Sequence, residues 1–360
     1  MHQINKIKIA AFLSAVGIFF LVVVASVLFY SGIQGDKSSS DRGMKRILDT
    51  TVESDEFDIP DIAATDVLGD ICNCMTPQGI CVANDYILIT AYCNVENYKE
   101  DLEANSHVYA NQEKIISEEG HNRHNSVAYV LSKETKEHIS TLVFDDKSHV
   151  GGITFDGEYI WVAKGGNCKI AAYSYRDFVK HIEDEDAGCS LAAPVYEFVC
   201  DYTASFITYF NGSLWVGTFN SDTEQKGVLS EYCISYERGV RCLSSNRIIE
   251  IPAQANGAAF VGNLGDTYLA VTTSYGRNND SKLYFYKMEK SDDASLQLQE
   301  HKVLTLPPMA EEICLNGDNM YFLFESASTA YTAVEDNKCR DVVNKVRVNN
   351  VLELLYGRWG

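Results

Sequence analysis

Three glutamates could do acid–base chemistry here. Glu311 and Glu312 enter a short apolar run that ends at the turn Asn316-Gly317, and Glu325 follows the next apolar run. With His149 as partner, any of the three has the equipment of a general acid or base in a hydrolase or lyase. Paired carboxylates also cleave glycosidic bonds. Oxygens from Glu312 and Asn256 would equally suit Ca²⁺, which takes oxygen ligands; beyond that possibility the sequence names no cofactor. Side chains two apart share a strand face and neighbours oppose, so only one of Glu311 and Glu312 is expected to face a common site. A binding surface without chemistry makes the same demands on residue type. So does a channel filled by hydrogen-bonded polar side chains.

The elements that must position these residues repeat. His149 to Gly166, HVGGITFDGEYIWVAKGG, reads as strand, Asp-Gly turn, strand. β-Branched and aromatic residues favour the strands, and Asp-Gly supplies the positive φ angles of a two-residue hairpin. Copies lie at Gln78–Thr90, Ala204–Thr218, Asn256–Thr272 and Glu311–Phe324. By subtraction, the turn glycines Gly157, Gly212, Gly265 and Gly317 are 55, 53 and 52 residues apart. Third strands are predicted at 126–130, 169–173, 228–234 and 281–285, and fourth strands at 138–144, 195–199, 248–251 and 302–306. A period of ~40–50 residues with four strands per repeat is the pattern of a β-propeller, here all-β and five-bladed. A β-sandwich is the rival fold, but sandwiches do not normally repeat this closely. Phe57 to Pro60 is expected to supply the outer strand of the last blade, with 345–348 as that blade's third strand and 351–356 as a short helix.

In a propeller the turn between the first two strands lies on one face, and here those turns are plain Asn/Asp-Gly. The loops into the first strand and out of the second lie on the other. Sorted that way, the second face collects the candidate ligand-binding funnel: Gln78, Tyr92, His149, Lys164, Ser205, Asn220, Asn256, Arg277, Glu312 and Glu325. The catalytic candidates Glu311, Glu312 and His149 fall there too. The long insertion from Asn94 to His124, with His107, His121 and His124, is expected over the same face; loops longer than ~12–15 residues are often functional.

Ile9 to Tyr30 carries no charge and is long enough to cross a bilayer. Lys6 and Lys8 precede it and no acid appears before Asp36, so the positive-inside rule puts the N-terminus in the cytosol. The expected organisation is a cytosolic segment 1–8, a transmembrane signal-anchor helix 9–31, a polar linker 32–56 and an extracytoplasmic propeller 57–360. A cleaved signal peptide is the alternative, but its apolar region is normally shorter and no small-x-small site follows this one. No cysteine follows the apolar run, which argues against a lipoprotein. A net charge of −20 excludes nucleic acid or an anionic lipid surface as main partner. The expected partners are the membrane, through the N-terminal helix, and an outside ligand, glycan or protein.

Eleven cysteines in an outside domain suggest some disulfides, and an odd total leaves at least one unpaired. Cys233 and Cys242 flank a short turn and are candidates for a cross-hairpin bridge, as are Cys72 and Cys74 with Cys93 or Cys339. Cys81 and Cys314, inside first strands, read as buried thiols. No cysteine–histidine spacing supports zinc. The stretch 274–281 lacks a following helix, so it is not a phosphate loop. Asn211-Gly-Ser213 and Asn279-Asp-Ser281 match the N-glycosylation pattern.

Thr76-Pro-Gln-Gly-Ile80, His149-Val-Gly-Gly152, Ser205 with Trp215-Val-Gly-Thr-Phe-Asn220, Ser274-Tyr-Gly-Arg-Asn278 and Pro308-Met-Ala-Glu-Glu312 together resemble a group of secreted or membrane-anchored five-bladed β-propeller proteins of Gram-positive bacteria. The likeness runs from about Cys74 to Leu355. It implies fold and location, not an activity. Five-bladed glycosidases and Ca²⁺-dependent propeller lactonases share the architecture, but their active-site residues have no position-by-position match here. Three function classes therefore stand: a binding or recognition module, a hydrolase or lyase acting on carbohydrate or cell-wall polymer, and a protein–protein scaffold.

Overall fold

The computed structural model describes residues 55–59, 75–94, 124–183, 191–237, 240–263, 266–276, 279–290, 296–325 and 345–357. They form five antiparallel sheets, one per repeat. Blade 1 is β2 (Met75–Ala83), β3 (Tyr86–Cys93), β4 (Val127–Ser132) and β5 (His138–Phe144). Blade 2 is β6 (Gly152–Phe155), β7 (Tyr159–Ala163), β8 (Lys169–Ser174) and β10 (Tyr196–Val199). Blade 3 is β11 (Phe206–Phe210), β12 (Ser213–Gly217), β13 (Gly227–Glu237) and β14 (Val240–Ile251). Blade 4 is β15 (Ala255–Asn263), β16 (Asp266–Thr273), β17 (Ser281–Lys290) and β18 (Leu296–Leu306). Blade 5 is β19 (Ala310–Asn316), β20 (Asn319–Phe324), β21 (Lys345–Asn350) and, outermost, β1 (Asp55–Asp58). The inner strands touch in a closed cycle, β2 to β6 to β11 to β15 to β19 and back to β2. The protein is an all-β, five-bladed propeller.

The ring closes as the residues suggested. β1 pairs antiparallel with β21, setting Phe57 opposite Val346, and it starts at Asp55, two residues before the expected domain boundary. Helix α2 (Val351–Tyr356) follows β21, with the Asn350 side chain capping its first turn. Two elements were not foreseen. Helix α1 (Tyr175–Glu183) interrupts blade 2, and β9 (Leu191–Ala192) runs parallel to β5, so blade 2's connection adds a fifth strand to blade 1. Leu142 to Phe144 are buried and offer that edge.

Among the described residues, apolar clusters lie between blades 5 and 1, 1 and 2, 2 and 3, and 3 and 4, and bury both faces of the inner strands there. That is why β3 reads as a near-continuous hydrophobic run rather than an alternating one. The cluster between blades 5 and 1 joins Phe57, Tyr321 and Val346 to Ile80, Ile87 and Ile89. The clusters between blades 2 and 3 and between blades 3 and 4 hold the two strand tryptophans, Trp161 and Trp215.

Two expectations need correction. None of the seven described cysteines is in a disulfide. Cys233 faces Ser244 and Cys242 faces Ser235, so the pair is offset by two positions along the ladder and does not meet as a bridge requires. Cys93 is unbridged too, while Cys72, Cys74 and Cys339 lie outside the described residues. The turns opposite the funnel, expected to be plain, carry a buried ion pair. Asp156 accepts from Glu158 N at 2.8 Å, Tyr159 N at 2.7 Å and Trp161 Nε1 at 2.7 Å, and it pairs with Arg241 of blade 3. The Arg241 guanidinium lies 4.2 Å from the Tyr159 ring centroid.

No helix among the described residues is long and apolar enough to cross a membrane. The predicted span, the linker, most of the 94–124 insertion and Arg277 lie outside the described residues.

Candidate functional site

Three inner strands carry a β-bulge near their start, at Pro77/Gly79, Ala255/Gly257 and Ala310/Ile313. A bulge re-aims a side chain out of the strand's alternation. The bulged residues are Gln78, Asn256 and the Glu311–Glu312 pair. Gly151 and Ser205 stand at the matching places in blades 2 and 3. Gln78, Gly151, Ser205, Asn256 and, of the glutamate pair, Glu311 all line one pocket of about 570 Å³ at these places.

The bulge also answers the alternation argument. Both glutamates are buried at the centre of the propeller, but they look into different surroundings. Glu312 is 1 % exposed. Its Oε2 accepts from Ile80 N at 2.8 Å and Ile153 N at 2.9 Å, and its Oε1 from Ile207 N at 3.4 Å. One carboxylate thus binds the inner strands of blades 1, 2 and 3 from blade 5. Small residues make room for it. A Cβ on Gly152 would stand 2.5 Å from Glu312 Oε1, and one on Gly257 2.6 Å from Glu312 Cα. Burial pushes the Glu312 carboxyl well up, and the three backbone donors pull against that. Both Glu312 oxygens are engaged by backbone N–H groups of blades 1, 2 and 3. Glu312 does not line the pocket.

Glu311 does line it. Its backbone carbonyl accepts from Thr272 Oγ1 at 2.8 Å, and Asn256 Nδ2 donates to Ala310 O at 3.3 Å and Ser274 O at 3.2 Å, so blade 4 holds the bulge in place. The side chain is 8 % exposed. Burial, then the neighbouring charges of Glu325 and Glu312, push its carboxyl well above the usual range. Glu325 is fixed by its N–H to Met309 O at 2.9 Å and shares the pocket wall.

The other expected funnel residues divide. Gln78, His149, Ser205, Asn256 and Glu325 line the pocket. His149 packs edge-on to the Tyr92 ring at 4.2 Å, and Tyr92 itself is buried behind it. Lys164 is 2 % exposed and turned away: its Nζ donates to Asp146 Oδ2 and to Tyr173 Oη, each at 2.8 Å, and stands 5.1 Å from the Phe144 ring centroid. Burial opposes the Asp146 charge, but the Lys164 and Ser148 hydrogen bonds outweigh it and hold that carboxyl low. Asn220 belongs to an exposed turn with Asp222 and Gln225. Of the histidine-bearing insertion, His124 is described, with Nδ1 3.8 Å from Cys93 Sγ. Among the described residues no group of three or more His, Cys, Asp or Glu side chains could hold a metal ion.

Sequence reasoning missed Phe219 and Met309 and passed over Gly165 and Gly166, while Tyr275 lies in the 274–278 loop that it places on the funnel face. Phe219 and Tyr275, from neighbouring blades, have ring centroids 6.1 Å apart. A signal existed for both: each follows the second strand of its blade by two residues, where the chain turns onto the funnel face.

No family model matches the chain, and no curated protein matches it. Solved structures that resemble it include the glutaminyl cyclase of Myxococcus xanthus, at 10 % identity over 82 % of this chain and 95 % of that one, with a TM-score of 0.42. The hydrazine synthase of Kuenenia stuttgartiensis matches at 10 % identity over 76 % of this chain and 74 % of that one, TM-score 0.37. A chain of a nidogen/laminin complex matches at 11 % identity over 76 % and 86 %, TM-score 0.37.

Proposed function

We propose that this protein is an extracytoplasmic recognition module, held at a cell membrane by a single span over residues 9–31, that binds a small polar ligand in its funnel pocket. One observation carries the binding reading: all five blades contribute residues to a single pocket of about 570 Å³. That volume falls in the ~300–1,000 Å³ range of small-molecule sites. Membrane anchoring is supported by the uncharged run Ile9–Tyr30 behind Lys6 and Lys8, and by the resemblance to secreted or anchored propellers of Gram-positive bacteria.

The test is a thermal-shift screen of the full chain in nonionic detergent against glycans, cell-wall fragments and divalent metals. A ligand at 100 times its Kd adds about 2.7 kcal/mol when it binds only the folded state. A hit that disappears in Thr203→Trp, which fills the pocket, supports the reading. A co-purifying protein whose binding survives Thr203→Trp, with no small-molecule hit, favours a scaffold instead. Protease added to intact cells should remove the propeller and leave a membrane-embedded stub.

A hydrolase or lyase acting on carbohydrate is the second reading. It is favoured by Glu311, where burial and the charge of Glu325 raise the carboxyl well above the usual range, the direction a general acid needs. Product release from a cell-wall polymer that stops in Glu311→Gln would establish it.

A further inference from the structure

Among the described residues, the funnel pocket is lined by acids without a matching cation. Glu311 and Glu325 both line it, and none of the other described lining residues is a lysine or arginine. Lys164, the lysine expected on that face, is committed to Asp146 and Tyr173. The Glu311 side chain is more than nine-tenths buried, borders the pocket, and has no hydrogen-bond partner among the described residues. Buried carboxyl groups are ordinarily paired or hydrogen-bonded, so an acid left in this state on a pocket wall points to a partner that arrives from outside.

Two aromatic residues of the same pocket say what the rest of that partner is. Phe219 and Tyr275 present two aromatic rings to the same pocket. Aromatic faces attract organic cations as well as apolar bodies. Gly166, which also lines the pocket, leaves open space where a side chain would stand.

From this geometry we infer that the funnel binds an organic ammonium ion, with its charged nitrogen at Glu311 and Glu325 and its apolar body against Phe219 and Tyr275. The inference rests on the reading of the funnel as the binding site and names the ligand class. A hydrated divalent metal is the weaker occupant, since no three acidic, imidazole or thiol side chains among the described residues stand close enough together to hold one. The charged and titratable groups facing Glu311 are Glu325, Glu312 on its own strand, and His149 across the pocket. Burial and the two acids favour the protonated Glu311 carboxyl, so an arriving ammonium ion displaces its proton to solvent. Affinity therefore rises with pH until Glu311 is ionised in the free protein.

Isothermal titration of the full chain in nonionic detergent tests this with three probes of one shape: benzylammonium, benzyl alcohol and benzoate. Benzylammonium should bind at least tenfold more tightly than either other probe. Repeating the titration in two buffers of different ionisation enthalpy should show proton release at pH 6 that fades as pH rises. Glu311→Gln should weaken benzylammonium at least tenfold and abolish the proton release, with an unchanged or raised melting temperature showing that it folds. Benzoate or benzyl alcohol binding as tightly as benzylammonium, with loss in Thr203→Trp, would overturn the ammonium inference and leave the funnel standing. Benzylammonium binding that survives Thr203→Trp would overturn the funnel as the site.

Discussion

Glu311 and Glu312 are chemically identical neighbours, and their surroundings give them opposite work. Glu312 accepts backbone N–H groups from three blades. Buried donors left without an acceptor cost about 1–3 kcal/mol each, and three would be orphaned together. Glu312→Ala should therefore destabilise the fold by about 4 kcal/mol or more, read from urea unfolding. Glu311 gives a pH signature instead. Its folded-state carboxyl sits above the unfolded value of about 4.3. Its contribution is therefore fully present below that unfolded value and is lost as pH rises through the folded one. Urea midpoints should fall with rising pH in the wild type and fall less in Glu311→Gln. The thiols divide in a similar way. Burial first, then the charges of Asp201 and Cys168 against a Tyr232 hydrogen bond, push Cys200 up to about 11, while Cys168, whose carbonyl accepts from Cys200 N at 2.8 Å, is exposed. Alkylation at pH 8 followed by peptide mass spectrometry should mark Cys168 well before Cys200, because the thiolate is the reactive form.

At the scale of elements, strand order was readable because repeats state it five times over. Asp156-Gly157, Asn211-Gly212 and Asn316-Gly317 mark three hairpins, and the apolar runs beside them have no other way to be buried than between sheets. The bulges were not readable. Alternation assigns Glu311 and Glu312 to opposite faces, and only the pairing of Ala310 with Phe324 and Ile313 with Phe322 shows two residues where one belongs. Lys164 was misread for a related reason: its place on the funnel side is right, but a long side chain can fold back, and Asp146 and Tyr173 draw it in. The Asp156–Arg241 pair was hidden by distance in sequence. It joins a blade 2 turn to the outer strand of blade 3, with both side chains under 5 % exposed. Breaking a buried pair by removing one partner costs about 3–5 kcal/mol. Arg241→Ala should lose about that much, since Asp156 keeps its charge and its other donors but loses the cation that balances them. Calorimetric melting would check it, and Arg247→Ala, whose guanidinium is partly exposed, is the internal control with a smaller loss.

A ring of blades has a seam where the chain's two ends meet, and two devices close it. One is peripheral. β1 adds to β21, Glu56 pairs with Arg347, and Phe57 packs edge-on to Tyr321 at 6.3 Å within the cluster shared by blades 5 and 1. The other is axial. Glu312 crosses the centre from blade 5 to the backbone of blades 1, 2 and 3. Phe57→Ala should cost about 3–5 kcal/mol, the usual loss for a buried phenylalanine. By contrast Val199→Ala, at a side chain 76 % exposed, should change little. The two devices hold one joint, so their losses should not add. Once the outer strand has loosened and blades 5 and 1 part more readily, the axial carboxylate has less closed ring left to stabilise. The double variant Phe57→Ala/Glu312→Ala should therefore fall short of the sum of the single losses by more than the ~0.5 kcal/mol expected of independent sites. Urea unfolding of the four proteins measures that difference, and simple additivity would mean that the rim and the axis of this propeller are held independently.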